Sequence, residues 1–333
     1  PATAPAPATA PAPATAPGHR PDSPALLLAH AHLPLLGGRA TLTWGNGGRL
    51  EAVCRLDAAD DRYLDHHRID GRPVLPFAVA MELMAEVAAA GWPSLEVTQL
   101  QHVRLRKGVT VDDGGKQVRV VATPRPSGGH GLSLDVSITA ADRDEEHYRA
   151  VVELGALSGP MSGPMNGNGN GNGAVLDGLA PFPMAVAEAY DRLLFHGPLF
   201  QAITGIEGMG ERGTRASISA SDPRDCLGGD HQAAWLIDPV VVDAALQMQV
   251  IWARLHWDVT LLPTELAVLR RHAPLGPPSG PVVHELRVRT ESKRPLSHGD
   301  HSFYDSDGRL LASLTDMVGA GSAALNRLAG ARP

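Results

Sequence analysis

The sequence lacks the features that mark several common classes of protein. Only two of its 333 residues are cysteine, Cys54 and Cys226, and they are far apart. This excludes a disulfide scaffold and a thiolate zinc site, and it fits the reducing cytoplasm. No stretch approaches the roughly 18 apolar residues of a membrane span, and the N-terminus has no signal-peptide pattern, so we expect no membrane association. The net charge of −7 argues against a nucleic-acid partner bound through a basic field.

Low-complexity segments divide the chain into five parts. Residues 1–24 are rich in proline and alanine, which favours extended polyproline II structure and predicts a semi-rigid linker. Residues 158–173 are rich in glycine and asparagine, whose ordering costs too much backbone entropy, and predict a flexible linker. We expect one folded half over 25–157, a second over 174–318, and a linker tail over 319–333. Such linkers tether domains, and the chain begins with proline instead of methionine, so we expect a piece of a longer polypeptide.

The two predicted halves share one order of elements. Each has an apolar segment with helical features, "VLPFAVAMELMAEVAAAG" in the first half and "AWLIDPVVVDAALQMQVIWARL" in the second. Four stretches with the composition of strands follow each segment. A sheet wrapped around one hydrophobic helix buries it economically, so this repeat predicts an α+β body with two such units side by side and a crevice between them. The predicted strands lie near 97–105, 117–123, 131–139 and 147–156, and near 264–271, 282–290, 300–304 and 309–317.

Candidate catalytic residues stand at the start of the first predicted helix. His67, Gly71 and Pro76 have the spacing H-x3-G-x4-P, directly after a second histidine, His66. A histidine here could be a structural residue bonded to backbone carbonyls, a metal ligand or a general base. Adjacent histidines on an extended segment point in opposite directions, and no His-x3-His or Cys-x2-Cys spacing accompanies them. We therefore expect no metal site.

The second half supplies partners for these residues. Asp243 and Gln247 lie four positions apart on one face of the second predicted helix. Valines and alanines surround Asp243, so its carboxyl is expected to be buried, and burial without a charged partner raises the pKa of a carboxyl group. A purely structural bond from Asp243 to a backbone amide is the alternative. His196 and Gln201 flank a Gly-Pro turn in "LFHGPLFQ".

Together these motifs resemble those of the dehydratase domains of type I polyketide synthases and related multienzyme fatty acid synthases. Those domains carry an H-x3-G-x4-P motif, a G-P-x-F-Q element, a D-x3-Q helix and an L-P-containing strand, in that order. The resemblance spans about residues 30–318. The forms of the first two motifs in this sequence resemble those of iterative synthases, of the polyunsaturated fatty acid or enediyne kind, more than those of modular synthases. The four motifs are present here as His67/Gly71/Pro76, "HGPLFQ", Asp243/Gln247 and "LLPTEL".

The resemblance implies a double hotdog fold and the dehydration of a β-hydroxyacyl thioester to the 2-enoyl thioester. His67 would take the α-proton as general base, and Asp243, facing it across a shared tunnel, would protonate the leaving hydroxyl. Gln247 would orient Asp243 or the hydroxyl. The backbone amide of Gly71, or the helix start that follows Pro76, would bind the charge on the thioester carbonyl.

Two residues depart from the family pattern. His196 stands where the family usually has a tyrosine, which is expected to alter how the substrate is oriented. Asp238 replaces a usual histidine, and because it lies before the helix we expect this change to be neutral.

The resemblance also implies the partners of the chain. The substrate would arrive on the phosphopantetheine arm of an acyl carrier protein, so no bound cofactor is expected. The neighbouring domains of a multienzyme would be further partners, and a homodimer is compatible with this interpretation. Carrier proteins are acidic, so exposed cations could dock them. The candidates are Arg104, Arg106 and Lys107, or Arg270 and Arg271.

Other functions stay open at this point. A product-template-like cyclase resembles the same fold and uses a His/Asp pair for aldol closure. A catalytically silent copy kept for docking is a second alternative, although the presence of both acid and base argues against it. A hotdog thioesterase or acyl-CoA binding module is a third, but no motif supplies the carboxylate that would activate water.

Overall fold

The structure is a computed structural model. The predicted linker 1–24 lies outside the residues that it describes, and so does the 162–173 part of the second predicted linker. The described residues are 30, 32–126, 131–161, 176, 178–229, 233–275 and 280–329.

Each half contains one long helix, a set of antiparallel strands and short connecting helices. The first half contains β1 (Ala40–Trp44), β2 (Leu50–Leu56), β3 (Arg68–Ile69), β4 (Arg72–Pro73), α1 (Phe77–Gly91), β5 (Glu96–Leu105), β6 (Lys116–Pro124), β7 (Leu132–Ala140) and β8 (Glu146–Gly155). The second half contains α2 (Val186–Leu193), β9 (Ile203–Gly210), β10 (Gly213–Ile218), α3 (Pro223–Cys226), α4 (Pro239–Trp257), β11 (Thr260–Arg271), β12 (Val282–Val288), β13 (Leu296–Tyr304) and β14 (Leu310–Ser322). Short 3-10 helices cover Asn46–Gly48, Arg62–His66, Pro198–Phe200 and Ala323–Leu328.

Twelve of the described strands form one antiparallel sheet in the order β1-β2-β6-β7-β8-β5-β11-β14-β13-β12-β10-β9. The first six come from the first half and the last six from the second. The halves join where β5 pairs with β11, with Leu100 opposite Leu269 and Val103 opposite Leu266. The predicted α+β repeat of one helix followed by four strands is confirmed. Two further strands of this sheet precede the long helix in each half, β1 and β2 in the first and β9 and β10 in the second, while β3 and β4 pair only with each other.

The long helices α1 and α4 contact each other, and the sheet covers their remaining sides. α1 is built mainly of alanine, methionine, leucine and glutamate, which favour helix. It begins after Pro76 and ends at Gly91, where a side chain would collide with β2. α4 begins after Asp238, whose carboxylate accepts hydrogen bonds from the N–H groups of Val240 and Val241. The start of α1 has no side-chain cap of this kind, because its N-cap residue, Pro76, has no side-chain acceptor.

Glu82 and Glu86, one turn apart on α1, are completely buried. Glu82 accepts hydrogen bonds of 2.7 and 2.8 Å from the backbone of 236–237, the segment that leads into α4. Glu86 accepts hydrogen bonds from the backbone of 35–36. Burial raises the pKa of Glu82 to about 7, and burial together with the charge of Glu82 raises the pKa of Glu86 well above its usual value. Burial therefore favours the protonated form of Glu86.

The protonation of Glu86 can be tested by comparing two substitutions. Glu86→Gln should lower the free energy of unfolding by less than about 1 kcal/mol, because the amide resembles the neutral acid and still accepts from the backbone of 35–36. Glu86→Ala should cost roughly 1–3 kcal/mol, because it leaves buried N–H groups without an acceptor. Urea unfolding at neutral pH measures both values. If both variants lowered the free energy of unfolding equally, the ionised carboxylate would be required.

The C-terminal boundary of the fold lies beyond the predicted one. The composition of 319–333 predicts a linker, yet β14 extends past this boundary and a 3-10 helix with a buried leucine follows it. Gly319 and Gly321 lie where β14 passes Leu261, and a Cβ on either would come within 3.2 or 2.8 Å of that side chain. The small residues therefore reflect close strand packing, and the linker prediction is wrong for 319–328.

The predicted start of the second linker, at residue 158, is also too early. The hydroxyl of Ser158 lies 2.9 Å from Nδ1 of His272. The backbone of Met161 exchanges two hydrogen bonds of 3.1 Å with Leu310, at the start of β14. Residues 158–161 are thus attached to the second half, although their serine, glycine and proline content is typical of a linker.

Candidate active site

Three separate segments supply the polar side chains of the candidate site. His67 lies between the 3-10 helix Arg62–His66 and β3, and His196 lies between α2 and the 3-10 helix Pro198–Phe200. Asp243 lies in the second turn of α4. Their exposed fractions are 8%, 4% and 4%, so the cluster is closed to bulk water.

A close contact between two backbones places the histidines side by side. The N–H of Gly197 donates to the carbonyl of His66 at 2.8 Å. A Cβ on Gly197 would lie 2.6 Å from Nδ1 of His66, so this approach requires glycine. It sets the rings of His196 and His67 5.5 Å apart. The side-chain amide of Gln201 donates to the carbonyl of His196 at 3.0 Å and holds the turn closed.

The surroundings of His67 fix its tautomer and its charge. Nδ1 lies 2.8 Å from the carbonyl oxygen of Val74, and since a carbonyl can only accept, Nδ1 carries the hydrogen. The lone pair is then on Nε2. Burial lowers the pKa of His67 to about 4, against the opposing effect of the bond to Val74. His67 is therefore neutral and able to accept a proton at pH 7.

Asp243 has the opposite character. Burial raises the pKa of its carboxyl to about 7, although a hydrogen bond from Gln247 opposes the shift. The side-chain amide of Gln247 donates to Oδ2 of Asp243 at 2.7 Å and to the carbonyl of Phe200 at 2.9 Å. A substantial fraction of Asp243 is thus protonated at neutral pH, and Gln247 fixes its orientation.

The structure brings His196 into direct contact with Asp243, with Nε2 3.3 Å from Oδ2. Burial, with a smaller effect of His67, lowers the pKa of His196 well below its usual value. Nitrogen or oxygen atoms of His67, His196 and Asp243 all lie within 4.8 Å of one another. The sequence pattern assigned His196 only to substrate orientation and did not predict this contact with Asp243.

Gly71 and Pro76 occupy different places relative to this cluster. Asp70 and Gly71 form the turn between β3 and β4, both with positive φ (51° and 76°), and Gly71 is exposed there. Its carbonyl accepts a hydrogen bond of 2.8 Å from Arg68. The glycine is therefore required by the turn, and its part in carbonyl binding stays a prediction. Pro76 is buried and forms the N-cap of α1.

Two phenylalanines of the "LFHGPLFQ" segment form apolar walls that the sequence pattern did not assign to the site. The ring of Phe195 stacks on His196 at 4.1 Å and lies 5.2 Å from the ring of His67. The ring of Phe200 lies 5.8 Å from that of His67. These rings exclude water from the imidazoles, which is the physical cause of their lowered pKa values. The available signal was a phenylalanine directly before each polar residue of the segment, Phe195 before His196 and Phe200 before Gln201.

The predicted docking cations are largely paired. Arg104, Arg106 and Lys107 lie 3.6, 3.6 and 2.6 Å from glutamate oxygens. Arg271 is buried and bonds to Glu96 and to the backbone of β5. The assignment of Arg271 to a docking surface is therefore wrong, because its guanidinium joins the two halves of the sheet.

Two family models match the chain, one for each half. The model described as polyketide synthase dehydratase domain matches residues 33–139. The model described as polyketide synthase dehydratase N-terminal domain matches residues 177–320. The chain belongs to the polyketide synthase dehydratase domain family. The match includes both halves of the site, since His67 falls in the first range and Asp243 in the second.

Solved dehydratase domains have the same fold, which is a double hotdog as predicted. The dehydratase domain from the CurJ module of curacin polyketide synthase superposes with a TM-score of 0.67 at 14% identity, over 90% of this chain and 99% of that one. The dehydratase domain of PpsC from Mycobacterium tuberculosis, solved in complex with C12:1-CoA, superposes with a TM-score of 0.65 at 19% identity, over 87% and 99% of the two chains.

The dehydratase domain is also similar to parts of much longer curated proteins. A polyunsaturated fatty acid synthase polypeptide of Thraustochytrium sp. is 28% identical over 274 residues, which are 79% of this chain and 9% of that protein. Polyketide synthase ThaG of Burkholderia thailandensis is 27% identical over 69% of this chain and 4% of its own length. The domain thus spans less than a tenth of either relative. Among the described helices, none has the length and hydropathy needed to cross a membrane.

Proposed function

We propose that this dehydratase domain converts a β-hydroxyacyl thioester on an acyl carrier protein into the 2-enoyl thioester, within polyketide or polyunsaturated fatty acid biosynthesis in the cytoplasm. One observation carries the proposal. A neutral imidazole and a carboxyl with a pKa of about 7 lie within 4.8 Å of each other in a closed apolar site. A general base and a general acid with separated pKa values are what the elimination of water requires.

His67 begins the reaction. Its Nε2 lone pair takes the α-proton of the thioester, while the bond from Nδ1 to Val74 stabilises the imidazolium that forms. Negative charge then develops on the thioester oxygen. The N-terminal N–H groups of α1 can bind this charge, because Pro76 does not cap them and the helix dipole favours an anion there. Gly71 is the second candidate for this role.

Asp243 completes the elimination. Its proton passes to the β-hydroxyl, which leaves as water, and Gln247 keeps the carboxyl group in place. His67 then holds a proton and Asp243 has lost one. His196 lies beside His67 and contacts Asp243, so it can relay the proton that restores the starting state.

The site needs no bound cofactor for this chemistry, since acid, base and carbonyl-binding groups all come from the chain. We assign delivery of the substrate to the phosphopantetheine arm of the carrier protein. The surrounding domains of a multienzyme would supply the hydroxyacyl group and consume the enoyl product, as the lengths of the relatives suggest.

Mass spectrometry of the acyl carrier protein tests the proposal. Incubation of the domain with a 3-hydroxyacyl carrier protein should shift the acyl arm down by the mass of one water. The carrier protein alone is the control. An unchanged mass under conditions where the domain is folded would contradict the proposal and favour a cyclase or a silent copy.

A further inference from the structure

The geometry points to a second property of the catalytic cluster: we infer that His67, His196 and Asp243 form a zinc-binding site and that zinc bound there inhibits the enzyme. Their ligand atoms all lie within 4.8 Å of one another, and all three side chains are more than nine-tenths buried. Two imidazole nitrogens and one carboxylate oxygen are a frequent zinc ligand set, with a fourth position left for water.

The side chains are already oriented as metal ligands usually are. The Nδ1 of His67 is held by the carbonyl of Val74, which leaves Nε2 available to the cluster. The amide of Gln247 holds Oδ2 of Asp243. Outer partners of this kind, a backbone carbonyl on a histidine and a donor on a carboxylate, fix the ligands around protein-bound zinc.

His196 supplies the third ligand beside His67 and Asp243. Its Nε2 lies 3.3 Å from Oδ2 of Asp243, a separation expected of two ligands on one zinc ion, where such atoms lie roughly 3–4 Å apart. All ligand atoms of the cluster lie within 4.8 Å of one another, so the side chains need to move by no more than about 1 Å to bind one ion. Gly197 fixes the place of His196, because only glycine fits against His66.

The consequence for activity depends on the proposed function. A zinc ion on Nε2 of His67 occupies the lone pair that takes the α-proton, and the same ion holds Asp243 as its carboxylate, so both base and acid are lost. Zinc at this site is thus an inhibitor of the dehydration.

Cobalt(II) tests the site without any measurement of activity, because four-coordinate cobalt with nitrogen and oxygen ligands absorbs in the visible region. The chelator-treated domain should bind one equivalent of cobalt with such bands, and zinc should displace it. His196→Phe and Asp243→Asn should each weaken zinc binding at least about tenfold. His102→Asn is the matched control, since His102 is an exposed histidine of β5 with a positive φ that asparagine tolerates, and it should bind as the parent does.

The folded state of each variant is checked by urea unfolding. Absence of the cobalt bands in the parent would overturn the inference, as would unchanged zinc affinity in folded His196→Phe. In the dehydration assay, one equivalent of zinc should abolish turnover and a chelator should restore it. Zinc binding with unaltered turnover would remove the inhibitory role. Binding in a domain that shows no turnover at all would leave the zinc site in place and contradict the dehydratase proposal instead.

Discussion

Replacing Asp243 by asparagine is expected to slow dehydration by roughly 10²–10⁴-fold, because the amide has no acidic proton for the leaving hydroxyl. The variant should fold normally. Asparagine has the size of aspartate, and its side-chain oxygen can still accept the bond from Gln247. Single-turnover measurements with a 3-hydroxyacyl carrier protein give the rate, and urea unfolding gives the stability.

Two further measurements separate acid catalysis from a structural effect. With a substrate whose leaving group is better than hydroxide, Asp243→Asn should show a smaller decrease in rate relative to the parent, since such a group departs with less help from an acid. Parental turnover of the 3-hydroxyacyl substrate would remove Asp243 from the mechanism. The cyclase and silent-copy alternatives would then be favoured.

The pH dependence of the rate follows from the same assignment. The acid must be protonated, and the pKa of Asp243 is about 7, so activity should fall as the pH rises through 7. The base must be unprotonated, and the pKa of His67 is about 4, so activity should fall only as the pH drops through 4. Asp243→Asn should lack the decrease on the alkaline side. If the rate of Asp243→Asn fell above pH 7 as the parental rate does, the alkaline decrease would belong to another group.

Replacing His67 by alanine is the second large expected effect. Turnover should fall by roughly 10²–10⁴-fold, because no other neutral imidazole in the cluster has a hydrogen-bonded Nδ1 that leaves Nε2 free for the α-proton. The rate is measured with the same carrier protein substrate. Added zinc should not restore it, since the base and not a metal is missing.

His66→Ala is the matched control for His67→Ala. The contribution of His66 to the site is its carbonyl, which accepts from the N–H of Gly197 and is kept in the variant. We expect a loss far smaller than that of His67→Ala. Equal losses for the two would contradict the assignment of the base to His67 alone.

Much of the fold could be predicted from local patterns in the sequence. The helical spacing of apolar residues in 77–91 indicated a buried helix, and the composition of the four following segments indicated strands. Repetition of this order in the second half predicted two similar units. The glycines of 319–328 misled the prediction, because composition does not distinguish a flexible glycine from one packed against Leu261.

Within the candidate site, the sequence by itself determined the kinds of residue and, through the spacing of its motifs, their family. His67, Asp243 and Gln247 could be named because four motifs occur in one order. The valine and alanine neighbours of Asp243 also predicted its burial, but only the tertiary structure decided how far its pKa and that of His67 are shifted. The pKa of His67, for example, depends on burial against the rings of Phe195 and Phe200, more than a hundred residues away, and burial is a property of the packed molecule. The contact of His196 with Asp243 was decided in the same way, because it depends on Gly197 approaching the backbone of His66, and no spacing along the chain encodes that approach.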